Sequence, residues 1–306
     1  MDEFDLIRRF FDRRRDAAGV AVGIGDDGAV LNPDPANQQV QVIDTLVEGV
    51  HFPEGTNPAD IAYRAVAVNL SDIAAMGARP RWMTLALTMH AASEQWLEAF
   101  ASGLFDAADS FGVALVGGDT TRGATLVVTV SITGEVERGT SLLRRGARPG
   151  DAIFVTGTMG DAAAGLSLLQ RGEPDSELVQ RFLRPTPRID IGTALIAKAS
   201  AAIDISDGLV GDLSKLLTAS GVGGEIHLDK LPLSDALRQC APAAQQFQWA
   251  TCGGDDYELC FTADEDVVTD IDGITKIGRI TAGRDLQCML DGDVVEIDAS
   301  GYRHFQ

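Results

Sequence analysis

At six places along this chain an apolar strand or helix runs into an aspartate set among small residues: Asp27, Asp44, Asp72, Asp119, Asp204 with Asp207, and Asp255 with Asp256. A single Gly-Asp pair is most often only a turn, because both residues favour turn conformations. Six at strand or helix ends are harder to dismiss, because in α/β folds ligands sit at the carboxyl ends of strands. Several of these carboxylates must then converge, and two unit charges at ~4 Å repel by roughly 4 kcal/mol at an effective dielectric of ~20. Either their pKa values rise or cations fill the cluster.

The first of these places is the most telling. Val22 to Val30 reads Val-Gly-Ile-Gly-Asp-Asp-Gly-Ala-Val. Gly23-Ile24-Gly25-Asp26-Asp27-Gly28 matches the letters of the G-x-G-x-x-G dinucleotide fingerprint, but that motif needs a helix after the third glycine to receive a pyrophosphate. Ala29-Val30-Leu31-Asn32-Pro33 reads instead as a short strand and a turn. Two adjacent carboxylates repel a bare phosphate and suit a hard cation, which can carry the phosphate in turn.

The 306 residues are enough for two ordinary domains, and 45% hydrophobic residues mark a globular chain. The net charge of -20 argues against nucleic acid or an anionic membrane as partner, but not against a phosphorylated substrate carried by divalent metal. Cys240, Cys252, Cys260 and Cys288 lack C-x-x-C spacing and read as reduced thiols. With an acidic N-terminus and no spanning apolar run, a cytoplasmic location is expected.

Taken in order, Glu3–Arg15 reads as an amphipathic helix with Phe4, Ile7, Phe10 and Phe11 on one face. Strands are expected at Val20–Ile24, Ala29–Leu31, Val40–Ile43 (ending at Asp44), Trp82–Met89, Val113–Val116 (ending in Gly117-Gly118-Asp119) and Leu126–Thr133. Pro58–Met76 and Ser93–Phe111 read as long helices, with Ser93 as N-cap and Gly77 and Gly112 at the ends. The first carries Asn69 and Asp72 one turn apart. A carboxylate near a helix C-terminus opposes the dipole and wants a compensating cation, which favours Asp72 as a ligand. The basic turn Arg144–Asp151 marks a domain boundary, giving domains 1–143 and 144–306. Beyond it, a strand at Ala152–Thr156, helices at Gly157–Gly172 and Pro187–Ala199, a strand at Ala202–Ile205 and a helix ending at Ser220 are expected.

Known phosphate machines are mostly excluded. There is no G-x-x-x-x-G-K-[ST], and none of the four lysines (Lys198, Lys215, Lys230, Lys276) follows a glycine. The H-R-D and D-F-G signatures, G-x-S-x-G and the calcium-loop pattern are absent, and His51 and His90 have no evident nucleophile partner. A carboxylate–Mg²⁺ site holding nucleotide phosphates remains. Arg144 and Arg145 suit a phosphate oxygen, and equally suit an ordinary basic loop.

The motifs Gly23-Ile-Gly-Asp-Asp27, Asp44-Thr-Leu-Val-Glu-Gly-Val-His51-Phe, Asn69-Leu-Ser-Asp72-Ile-Ala-Ala-Met-Gly-Ala-Arg-Pro80, Gly117-Gly-Asp119-Thr-Thr-Arg122, Val155-Thr-Gly157, Ala202-Ile-Asp204-Ile-Ser-Asp-Gly208, Gly253-Gly-Asp-Asp-Tyr-Glu-Leu259 and Gly301-Tyr302 run nearly end to end. In their order and spacing the chain resembles the thiamine-monophosphate kinases of the aminoimidazole-ribonucleotide-synthetase superfamily. The resemblance implies a two-domain α/β (α+β) fold. The N-terminal domain would be a mixed sheet with helices that binds metal and ATP and pairs in a homodimer. A sandwich-like C-terminal domain would complete the ATP and substrate site. It implies ATP-dependent phosphorylation of thiamine monophosphate to thiamine diphosphate, with several Mg²⁺. Carried over by position, Asp27, Asp44, Asp72, Asp119, Asp204 and Asp207 would bind metal. Gly118, Asp119, Arg144 and Ser206 would bind ATP, and His51, Asp255 and Phe305 the thiamine side, with Tyr302 an alternative to Phe305. No side chain need act as catalytic base, because the acceptor phosphate is already ionised.

Two departures stand out. Ile43 occupies a position where the family often has a hydroxyl residue, so only a backbone carbonyl can serve there. Asp255 replaces a frequent glutamate, so that its contact becomes water-mediated or shifts to Asp256. A different superfamily synthetase and a metal-dependent phosphohydrolase are the rival activities; a non-enzymatic divalent-cation binder is a third.

Overall fold

The structure is a computed structural model and describes residues 3–12, 17–91, 93–174 and 176–297. The chain divides into two compact units, residues 1–73 with 78–139, and residues 74–77 with 140–306.

The first unit contains helices α1 (Glu3–Leu6), α2 (Pro58–Ala75) and α3 (Glu94–Ser110), and the hairpin β1 (Val20–Val22) and β2 (Val30–Leu31). Its sheet is built from β3 (Asn37–Val47), β4 (Arg79–Met89), β5 (Ala114–Arg122) and β6 (Val127–Glu137), in the order β3-β6-β4-β5. Only β4 and β5 run parallel. In β6, Val128, Val130 and Ile132 are fully buried. They alternate with Thr129, Ser131 and Thr133, whose hydroxyls bond to β3 across the other face, the pattern of a sheet with one covered side. Helix α2 covers that side: Ile73 Cδ1 would lie 3.1 Å from a Cβ at Gly134. A Cβ at Gly103 would fall 1.9 Å from the Ala59 carbonyl oxygen, so glycine is what lets α3 lie against the start of α2. The β1–β2 hairpin rests on Trp82, Ala114 and Val116, and Trp82 Nε1 donates to the Ala18 carbonyl at 3.1 Å.

The second unit holds β7 (Ala152–Thr156), β8 (Ala199–Asp204), β9 (Gly223–His227), β10 (Leu259–Ala263), β11 (Ile274–Thr281), β12 (Leu286–Leu290) and β13 (Asp293–Val295), in the order β13-β12-β9-β11-β7-β10-β8. Its helices are α4 (Asp161–Gln170), α5 (Glu177–Leu183), α6 (Ile189–Ala194), α7 (Leu209–Ser220), α8 (Asp235–Cys240) and α9 (Ala243–Cys252). Strands β7 and β10 are buried at every residue, as strands covered on both faces are. Ile153, Val155 and Cys260 pack with Leu213, Leu216 and Leu217 of α7 on one side. On the other, Phe154 stacks on Phe261 at 5.1 Å between ring centroids, together with Leu195, Ile189 and Ile191.

Several elements differ from expectation. The strand expected to end at Asp44 continues to Val47, and the strand expected to end before Gly117 continues to Arg122. Both are edge strands with one open side, so a polar residue does not interrupt them. The N-terminal helix is one α-turn followed by a π-turn over Ile7–Phe11. Ser93 stands at the N-cap of α3 without a side-chain hydrogen bond. The helix expected from Gly157 starts at Asp161, after Gly157 and Gly160 take positive φ. The segment 187–199 holds only the short α6, and α5, capped by Ser176 through the Leu178 N–H, stands where no helix was expected. Tyr302 and Phe305 lie outside the described residues.

Candidate active site

In the first unit, a cavity of about 440 Å³ is lined by Phe11, Asp26, Asp27, Gly118, Asp119 and Thr120 among others. The hairpin turn thus meets the far half of β5, and Asp27 and Asp119, both exposed, border one space. Asp26 is exposed and its Oδ1 accepts the Asp27 N–H at 2.9 Å. A Cβ at Gly118 would fall 2.0 Å from the Leu85 carbonyl oxygen, so only glycine lets β5 run past β4 here.

Asp44 lies elsewhere on the sheet. It pairs with Val130, which pairs with Leu85, which pairs with Gly118. Asp44 is therefore level with Gly118 but three strands away, roughly 14 Å at the usual strand spacing. It shares the covered face with Val40 and Leu46, whereas Asp119 pairs with the exposed Ala86. The α2 helix brings Asn69 and Asp72 to the covered side. Asn69 is fully buried and its Nδ2 donates to the Ala65 carbonyl at 2.9 Å, which fixes the amide orientation. Its Oδ1 has no hydrogen-bond partner among the described residues, and an orphan acceptor of this kind costs about 1–3 kcal/mol. His51 closes the turn after β3: its Nδ1 accepts the Val47 N–H at 3.0 Å. The ring is thereby oriented with its proton on Nε2.

In the second unit, β8 ends at Asp204 beside the start of β10. The pairing runs on past the strands: Ile205 N–H donates to Glu258 O, Tyr257 N–H to Ile205 O, and Asp255 N–H to Ser206 O at 2.9 Å. Ser206, Asp207 and Asp255 are therefore neighbours. Two glycines make this possible, since a Cβ at Gly254 would fall 2.4 Å from the Ser206 carbonyl oxygen and one at Gly208 would fall 2.9 Å from the Cys252 backbone. Asp255 and Tyr257 both adopt positive φ (71° and 50°), a conformation that is strained for non-glycine residues. Tyr257 Oη donates to Asp255 Oδ1 at 3.3 Å.

Between those two residues, Asp256 is buried and accepts the Gly160 and Ala162 N–H groups at the start of α4. Burial pushes its carboxyl well above the usual carboxylate range, against the pull of the two amides. It anchors the segment and is not open to a ligand. Arg144 is exposed, and it follows Leu143, whose carbonyl accepts the Ala202 N–H on the free edge of β8. Its neighbour Leu143 is thus placed two residues back from Asp204 along β8.

Three contributors escaped the sequence reading. Asp212 is 1% exposed and its Oδ2 accepts both the Ser206 and Asp207 N–H groups at 2.9 Å. The amides of the turn that precedes α7 are therefore taken by the chain itself. Lys215 Nζ donates to Asp207 Oδ2 at 2.6 Å and to Asp212 Oδ1 at 2.8 Å. Burial raises the Asp212 carboxyl, and Lys215 opposes that rise. Glu258 is fully buried. It takes a bidentate contact from Arg188 at 2.6 Å, a bond from Arg181 at 2.7 Å and one from Thr156 Oγ1 at 2.6 Å. The i,i+3 spacing of Asp212 and Lys215 was a readable signal; the pairing of Glu258 with arginines some seventy residues away was not.

Among the described residues, no three His, Cys, Asp or Glu side chains are close enough to hold a metal ion by themselves. A divalent ion held by one or two carboxylates completes its shell with water and phosphate oxygens. The donors present fit such a hard cation: they are carboxylate oxygens around the cavity and, one turn from Asp72, a buried amide oxygen that no N–H satisfies.

Comparison with known proteins agrees with this picture. Residues 25–136 match the AIR synthase related protein N-terminal domain and residues 148–291 its C-terminal domain. The chain is 49% identical over 320 residues to the thiamine-monophosphate kinase of Salmonella typhimurium, covering 99% of this chain and 98% of the relative. The crystal structure of thiamine-monophosphate kinase from Stenotrophomonas maltophilia K279a superposes with a TM-score of 0.88 at 45% identity, covering 96% of this chain and 98% of that one. The structure of AaThiL complexed with AMPPCP and TMP matches with a TM-score of 0.82 at 35% identity, over 92% of each chain. On a full-length relationship of this strength, with both domain models matched, the chain belongs to the thiamine-monophosphate kinase family.

Proposed function

We propose that this protein transfers the γ-phosphate of ATP to the phosphate of thiamine monophosphate, giving thiamine diphosphate and ADP. The observation that carries this reading is the likeness, over 92% of each chain, to AaThiL complexed with AMPPCP and TMP, an ATP analogue beside the acceptor. A phosphate oxygen of the acceptor forms the new bond to the γ-phosphorus. The bond from that phosphorus to the bridging oxygen breaks, and its electron pair leaves with ADP.

We assign Mg²⁺ to Asp27, Asp44, Asp72, Asp119 and Asp204, where it supplies the positive charge that lets two polyanions meet. The separation of Asp44 from Gly118 across the sheet supports more than one ion. Asp207, expected in the same set, is already paired with Lys215. The first unit is read as the metal and ATP domain, with Gly118 admitting the nucleotide close to the backbone. The second is read as completing the site through Ser206, Arg144 and Asp255. His51 is read as a donor through Nε2–H, its Nδ1 being engaged by Val47. No residue is required to remove a proton, because the acceptor oxygen is already ionised. A homodimer is part of the reading, supported by the edge position of β3 and by Ile43, 65% exposed on it. So is a cytoplasmic location, supported by four free cysteines; no helix among the described residues is long and apolar enough to cross a membrane.

The test is incubation with ATP, Mg²⁺ and thiamine monophosphate, with products identified by mass spectrometry. Thiamine diphosphate with stoichiometric ADP is expected. ADP and free phosphate with the acceptor unchanged would overturn the assignment of the acceptor and point to hydrolysis or to a different synthetase reaction.

A further inference from the structure

The second unit contains a cation of its own at the aspartate turn. Lys198 and Lys276 make ion pairs with Asp270 and Glu265, whose side chains are 71% and 58% exposed. Lys215 is different. One of its partners, Asp207, is 38% exposed, but the other, Asp212, is 2% exposed. A lysine on a helix projects back towards the N-terminus, and from the middle of α7 this one reaches the turn that opens it.

The two pairs are unequal in strength. Asp212 already accepts the Ser206 and Asp207 amides, and its remaining oxygen, Oδ1, takes Lys215 at 2.8 Å. Removing the ammonium would leave a buried carboxylate without its counter-charge, which is far costlier than breaking an exposed pair. Lys215 is thus anchored from below by Asp212, and Asp207 is attached to it from above. For a divalent ion to take Asp207, it must compete with a cation that cannot leave freely.

We propose that the Lys215 ammonium occupies the position at Asp207 that a divalent cation would otherwise take, so that in this chain Asp207 is a lysine-held carboxylate and not a metal ligand. This rests on the reading of the other aspartates as Mg²⁺ sites and narrows that set by one residue. Asp207 then serves to hold the turn between β8 and α7, and the ammonium, which has three N–H donors and gives two of them to carboxylates, keeps one for a phosphate oxygen.

The test is the number of Mn²⁺ ions bound per chain, counted by electron paramagnetic resonance with saturating AMPPCP, for the wild type, Asp207→Asn, Lys215→Met and the double variant. Asp207→Asn is expected to bind as many Mn²⁺ as the wild type. Lys215→Met is expected to bind about one more, since a freed carboxylate is a hard oxygen ligand, and the double variant to return to the wild-type count. Loss of a Mn²⁺ in Asp207→Asn would overturn the proposal, and this arm does not require Lys215→Met to fold. A folded Lys215→Met with an unchanged count would overturn it as well. A wild type that binds no Mn²⁺ while Lys215→Met binds one would leave the proposal standing and remove the wider metal reading; no Mn²⁺ on either would remove both.

Discussion

The aspartates of the two units face opposite electrostatic situations. In the first unit Asp27 and Asp119 are exposed, one on a glycine turn and one on an edge strand, around a cavity. In the second, Asp212 and Asp256 are each 1% exposed and are each held by two backbone amides. A carboxylate left in water keeps its charge cheaply and can meet an incoming cation. A buried one must be neutralised by its own chain, and in doing so it fixes the backbone that supplies the donors. Accessibility, more than residue type, separates the carboxylates that can bind a ligand from those that build the turn presenting it.

The comparison is broken most directly at Asp72. If it holds a cation during turnover, Asp72→Asn lowers kcat by about a thousandfold or more, the size of a lost electrostatic stabilisation, while the melting temperature holds. Steady-state kinetics with thermal melting checks this, and a near-normal rate would remove Asp72 from the site. Glu258 tests the other side. Replacing it with Gln leaves Arg181 and Arg188 facing a neutral group. Because both guanidiniums are 22–25% exposed, the full penalty of a buried unpaired charge is reduced to roughly 2–3 kcal/mol. Urea unfolding measures it, and a change below about 0.5 kcal/mol, the scale of ordinary surface changes, would mean the network is not structural.

The smallest effect sharpens the contrast further. Asp256 is raised chiefly by burial, so the folded protein binds its proton more readily than the unfolded chain does. Between the unfolded carboxyl pKa, ~4, and the raised folded one, stability contributed by this group falls as pH rises. In metal-free urea titrations, the stability of the wild type relative to Asp256→Asn should therefore decline from acidic towards neutral pH. A flat difference would show that Asp256 ionises as an ordinary carboxyl.

Local pattern was enough for the long elements. The apolar spacing of α2 and α3, and the glycine that ends α7 at Gly221 with φ of 69°, are readable because each is settled within a turn or two of helix. The reading stopped too early at Asp44 and before Gly117, because an edge strand tolerates polar residues and an apolar run is then a poor measure of strand length. Of the expected site residues, Ser206, Asp207 and Asp255 are gathered by the structure, and Asp27 with Asp119 in the other unit. Their joint presence in motifs was legible from family resemblance, but their supports were not. Asp212, Asp256 and the arginines on Glu258 act through burial and through contacts up to 96 residues apart, and neither burial nor long-range contact is written in a short window of sequence.

Strand β10 sits between β7 and β8, although it is the last of the three to be made. As the chain leaves the ribosome, β7 and β8 emerge first, each missing the neighbour that belongs between them, and the whole stretch from Ile205 to Glu258 must follow before that neighbour arrives. Unpaired strand edges of this kind invite association with other chains. A product truncated at Glu258 would carry Asp204, Ser206 and Asp207 and yet lack the strand against which their turn is set. The five buried residues of β10 thus make the centre of this sheet dependent on chain made late, and a chain cut at Glu258 is expected to leave the facing edges of β7 and β8 unpaired.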